Sequence, residues 1–144
     1  MLKRVALLGV LFSFFMVGCS NIDSKVSTEL ESTTEKFFKE INDLSDYTNE
    51  SELEALNSYF TDDSAVKGDL IEYLTVYQLE NEKEVPNYEV TKMEIKPQDD
   101  LYRVHVKYDM KSKETDQLLY SSDLNLYFKD VNGEMKIDTA DYGG

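Results

Sequence analysis

Two periods divide the chain: apolar residues recur three and four apart from about residue 25, and two apart from residue 88. Val26, Leu30, Thr33, Phe37, Ile41 and Leu44 form one stripe that predicts a helix over 25–44, with Phe38 widening its apolar face. Glu35 and Lys39 support it in the favourable i,i+4 order. The turn formers of 45–49 break the pattern. Ser51-Glu52-Leu53-Glu54 then reads as a capping box opening a short helix, with Leu53, Leu56 and Phe60 on one side and 61–64 ending it. The stretch 69–79 fits two states. Leu70, Leu74 and Tyr77 suit a helix capped by Asp69, whereas Ile71, Tyr73, Thr75, Tyr77 and Leu79 suit strand alternation. Leu, Glu and Gln favour the helix, and no turn signal divides the stretch.

From Tyr88 the alternation is that of strands wet on one face. A first strand over 88–96 is expected to stop at Pro97. Tyr102, Val104, Val106, Tyr108 and Met110 alternate with Arg103, His105, Lys107, Asp109 and Lys111. Leu118, Tyr120, Ser122, Leu124, Leu126 and Phe128 make the inner face of a third strand. Asn132-Gly133 is a hairpin signal, and Met135, Ile137 and Thr139 give the fourth. Short connections imply antiparallel neighbours. The single apolar face needs a cover, which the long helix supplies. The expected fold is α+β: N-terminal helices on a curved four-stranded antiparallel sheet, over residues 25–144.

Ahead of that domain, Lys3 and Arg4 precede an apolar run over 5–17 that is short for a bilayer span. It closes on Met16-Val17-Gly18-Cys19. This resembles the lipobox of bacterial lipoproteins, with Met16 where leucine is usual. The resemblance implies a signal peptide over 1–18, cleavage between Gly18 and Cys19, lipidation of Cys19 and a tether over 19–24. It further implies a protein held on the extracytoplasmic face of the cell membrane by an N-terminal diacylglyceryl cysteine. Cys19 is the only cysteine, so no intramolecular disulfide is available.

Charge sharpens this picture. The formal net charge is −14. Residues 20–90 hold 5 Lys/Arg against 18 Asp/Glu, while residues 91–113 hold 6 against 4. The balance argues against nucleic acid as a partner. An acidic helical side is either a generic solvated surface or the face that meets a cationic protein or peptide.

Candidate chemistry is sparse. His105, the only histidine, alternates with Arg103 and Lys107 on the wet face. No His/Cys cluster has zinc spacing, and the acidic pairs Asp62-Asp63 and Asp99-Asp100 lack the spacing and glycine of a calcium loop. No phosphate-binding glycine loop or nucleophile elbow is present. No catalytic residue, metal or cofactor is therefore expected. Tyr102, Tyr108 and Tyr120 face inward, either as core aromatics or as the lining of a ligand cavity. Ser122 and Thr139 are the main inward polar groups, and His105, Tyr127 and Tyr142 are expected to share an exposed contact patch.

The helix-rich first half, the four-strand meander and the Lys129-Asp130-x-Asn132-Gly133 turn resemble the NTF2-like and cystatin-like superfolds. Small lipoproteins of low-GC Gram-positive bacteria look like this. The Gln-x-Val-x-Gly loop of protease-inhibiting cystatins is missing. The resemblance points to a non-enzymatic binding module, with an exclusion or immunity role for a mobile element or bacteriocin locus as its finer form. The alternative is a small-molecule binder or enzyme with a Tyr-lined NTF2-like cavity.

Overall fold

The computed structural model describes residues 22–45, 47, 49–78, 80 and 86–142. The signal segment, Gly18 and Cys19 lie outside the described residues. Helix α1 runs Ser24–Asn42, capped by Asp23, whose carboxylate accepts from the Lys25 N–H at 2.8 Å. Its buried face carries Leu30, Phe37, Phe38 and Ile41, as the stripe predicts. Thr34 takes the buried place expected of Thr33, with its hydroxyl donating to the Leu30 carbonyl at 2.8 Å.

Helix α2 is Glu50–Ala55, continued by a 3₁₀ turn Leu56–Tyr59. Its cap is Asn49 rather than Ser51. The Asn49 side chain accepts from the Ser51 and Glu52 N–H groups at 3.0 and 3.4 Å, which places Ser51 inside the helix. Asparagine caps as well as serine, so the earlier residue starts the turn. Helix α3 is Lys67–Glu72, continued by a π-helical segment Tyr73–Tyr77. The helical alternative therefore holds over 69–77, but Asp69 sits in the first turn and Val66 takes the cap position without a side-chain bond.

The sheet has the order β1-β2-β3-β4, all antiparallel, with β1 Pro86–Gln98, β2 Leu101–Ser112, β3 Leu118–Val131 and β4 Glu134–Asp141. Pro97 lies within β1, opposite Tyr102, rather than ending it. An edge strand tolerates proline because a ladder bond is needed on one side only. Register shifts at Val90/Lys92, Met110/Lys111 and Tyr127/Phe128 mark irregularities of the kind that bend a sheet. The last of these overturns an expectation. Tyr127 pairs with Thr139 but Phe128 pairs with Ile137, so Asp138 is extra, Thr139 turns to the outer face and Ala140 goes inward at 8 % exposure.

The core lies between α1, α3 and the sheet. Phe37 meets Phe38, Tyr59 and Phe60 edge to face, and Phe38 meets Tyr88 and Tyr108. Both sheet edges are partly sealed. The Asn42 side-chain amide donates to the Tyr88 carbonyl and accepts from the Tyr88 N–H, each at 2.8 Å, and the Tyr47 hydroxyl donates to the Pro86 carbonyl at 3.2 Å. On β4, the Thr61 N–H donates to the Ile137 carbonyl, the Ser64 hydroxyl to the Asp138 carbonyl, and the Met135 N–H to Glu29 Oε1. Among the described residues no helix is long and apolar enough to cross a membrane.

Candidate functional site

A cleft of about 430 Å³ lies between α2 and α3, and a second of equal volume lies between the 3₁₀ turn and the β3–β4 hairpin, lined by Asn57, Asp62, Asp130 and Lys136 among others. The residues of the first follow from helical period on both walls. Once Asn49 sets the start of α2, Glu50, Leu53, Glu54 and Asn57 fall on one stripe at i, i+3, i+4 and i+7. On α3 the matching stripe is Gly68, Ile71, Glu72, Thr75 and Val76. Leu70 and Leu74, on the other face of α3, are fully buried and hold the helix on the core. The π-helical turn widens this wall. The Leu74 carbonyl accepts from the Tyr88 hydroxyl at 2.9 Å, and the Thr75 hydroxyl donates to the Ile71 carbonyl at 2.6 Å. Such turns are rare and are found often at functional sites.

Leu53, Ile71 and Val76 give the cleft an apolar floor, and Glu50, Glu54 and Glu72 give it a carboxylate rim. The lysine–carboxylate pairs among the described residues are made elsewhere, between Lys39 and Asp43, Lys92 and Glu94, Lys111 and Glu89, and Lys136 and Glu134. The three rim carboxylates are therefore not neutralised within the described structure. They sit on the half of the chain with the largest acidic excess. Apolar floor and unpaired acid together suit a ligand that is apolar on one side and cationic on the other.

The inward tyrosines divide. Tyr108 is 1 % exposed and lies among aromatics, with ring centroids 5.9 Å from Phe38 and 5.3 Å from Tyr88. Tyr120 is half-buried, and its hydroxyl donates to Gln78 Oε1 at 2.6 Å. These two are diagonal neighbours across β2 and β3, whereas Tyr102 pairs with Phe128 at the far end of β2. The Tyr108 hydroxyl is in polar contact with the Ser122 and Tyr73 hydroxyls but makes no hydrogen bond of full geometry with either. Burial pushes its ionisation well above the ordinary phenol range. Thr139, facing outward, adds nothing to this inner cluster.

The expected patch of His105, Tyr127 and Tyr142 does not form. His105 is on the outer face, half-buried, with Nε2 3.0 Å from Asp123 Oδ2. Tyr127 shares that face and donates to Asp141 at 2.8 Å. Tyr142 instead packs on Tyr73 of the π-helical segment, centroids 4.8 Å apart, because the extra residue in β4 turns the later positions to the opposite face. Among the described residues no three His, Cys, Asp or Glu side chains group as metal ligands. The cleft itself was not marked in the sequence. Its signal, matching i, i+3, i+4, i+7 stripes with Glu50, Glu54 and Glu72 at their margins, emerges only when the two short helices are set side by side.

No protein-family model and no curated protein sequence matches the chain. Solved structures do match in shape. A protein of unknown function with a cystatin-like fold from Nostoc punctiforme superimposes with a TM-score of 0.61 at 12% identity, over 83% of this chain and 90% of that one. Aln2 from a Streptomyces species gives 0.63 at 6% identity, over the same shares. A protein from Catenulispora acidiphila in complex with S-DNPA gives 0.58 at 11% identity, over 82% and 92%. The chain thus has a cystatin-like fold.

Proposed function

We propose that this protein is a lipoprotein anchored through Cys19 on the extracytoplasmic face of the cell membrane, where it acts as a non-enzymatic module that binds a cationic peptide or protein segment. The observation that carries the binding reading is the cleft between α2 and α3, whose three carboxylates stand unpaired among the described residues over an apolar floor. The lipobox-like Met16-Val17-Gly18-Cys19 supports the anchor. Two acyl chains hold a protein stably on a bilayer, where one holds it only marginally. Within this class the role is exclusion or immunity for a mobile element or a bacteriocin locus, directed at a cationic peptide.

Titration of the purified full chain with an amphipathic Leu/Lys peptide tests the cleft. Replacing Glu50, Glu54 and Glu72 together by Gln is expected to weaken binding about tenfold at low salt, with the difference shrinking as salt rises. Unchanged affinity in the triple variant sinks the reading. Fatty-acid labelling in cells tests the anchor, and equal label in wild type and Cys19→Ala would remove it.

A second reading is favoured by one feature. The buried Tyr108 hydroxyl meets the Ser122 and Tyr73 hydroxyls without a hydrogen bond of full geometry, and a buried polar group so weakly satisfied marks a place where a small polar ligand can complete the bonding. The Catenulispora structure in complex with S-DNPA shows one protein of this fold with a bound small molecule. Tyr108→Phe separates the two readings. If the inner cluster is only packing, the change leaves peptide binding intact and stability equal or higher.

A further inference from the structure

Gly68 occupies the second position of α3. Glycine weakens a helix relative to alanine, because it has more backbone freedom to lose. Two conditions would require it there, and neither is met. A left-handed backbone would, as at Gly133 with its φ of 88°, but Gly68 has no such conformation. Crowding would, but a Cβ built on Gly68 meets nothing within 4 Å. The space above it is the cleft itself. The absent side chain leaves the opening between the helices wider.

We infer that the occupant of the cleft is a basic amphipathic helix that crosses α3 at Gly68, where the missing side chain lets its backbone approach more closely than any other residue would allow. This rests on the cationic-partner reading above. Three observations select a helix over an extended segment. Both walls are helical stripes, so the cleft offers no strand edge to bond an extended peptide's backbone, whereas a helix satisfies its own. Glu50 and Glu54 stand four residues apart along α2, the spacing at which lysines line one face of a helix. The apolar floor of Leu53, Ile71 and Val76 is short, and a few side chains from one helical stripe would cover it.

The test uses the full chain reconstituted in neutral phosphatidylcholine vesicles and two peptides of about 14 residues with the same Leu and Lys composition. One has its leucines at helical period and the other in strict alternation. The helical peptide is expected to bind at least about tenfold tighter than the alternating one. Gly68→Leu is expected to reduce that binding by about tenfold or more while leaving the melting temperature and circular dichroism in place. Gly68→Ala is expected to raise the melting temperature and weaken binding by a smaller factor, so that stability and affinity move in opposite directions. Wild-type affinity in Gly68→Leu, or equal binding of the two peptides, overturns the helical occupant and leaves the cationic-partner reading standing. Binding that is insensitive to neutralising Glu50, Glu54 and Glu72, or no binding of either peptide, overturns both.

Discussion

Among single residues, buried phenols bear most directly on stability at alkaline pH. Burial pushes the Tyr47 hydroxyl up to about 12, and it raises Tyr88 and Tyr108 further in the same direction. The folded state therefore holds these protons more tightly than the unfolded chain, where phenols ionise near pH 10. A folded pKa above the unfolded one means stability is fully present below about pH 10 and is lost as pH rises through about 12. The Tyr47 contribution alone is on the order of 2 kcal/mol. Urea midpoints measured from about pH 9 to 12 are expected to fall steeply, and less steeply in Tyr47→Phe. A parallel decline in the two proteins would show that Tyr47 is not responsible. Tyr47 lies in a segment that reads only as a turn, but that Tyr108 and Tyr120 face inward was legible from alternation. The partners of the buried hydroxyls were not, because the Pro86 carbonyl lies 39 residues from Tyr47, the Leu74 carbonyl 14 from Tyr88, and Gln78 42 from Tyr120.

At the scale of elements, period reads well until a residue is inserted or a cap moves. The inner faces of β2 and β3 follow the predicted alternation from Val104 to Met110 and from Leu124 to Phe128. In β4 the extra Asp138 reverses everything after it, a change that a period of two cannot register. Thr139→Lys is accordingly expected to cost about 0.5 kcal/mol, as a change on the half-buried outer face. Ala140→Leu is expected to cost about 1–3 kcal/mol through overpacking. Denaturant unfolding of the two variants decides it, and the reverse order would return Thr139 to the core. The short helices show the same limit. Ser51 and Asn49 are both good caps, and the choice between them decides whether Glu50 belongs to the helix and so to the cleft wall.

For the whole molecule, the α+β architecture was legible because its two halves carry different periods and the strand connections are short. The cleft and the closure of the sheet were not, because they depend on how distant segments meet. Asn42 reaches Tyr88 across 46 residues, and Thr61 and Ser64 reach Asp138 across 77 and 74. Asn42→Ala leaves the Tyr88 N–H and carbonyl without partners and is expected to cost about 2 kcal/mol. It is also expected to raise light scattering at high concentration, since an open strand edge pairs with other chains. Unchanged stability and scattering would show that water replaces the amide at no cost. The residues that close both margins, Glu29, Asn42, Tyr47, Thr61 and Ser64, all precede the first strand. Synthesis from the N-terminus therefore makes every guard before the edge it protects. The order of the chain thus puts the groups that partly seal the two edges ahead of the strands they meet.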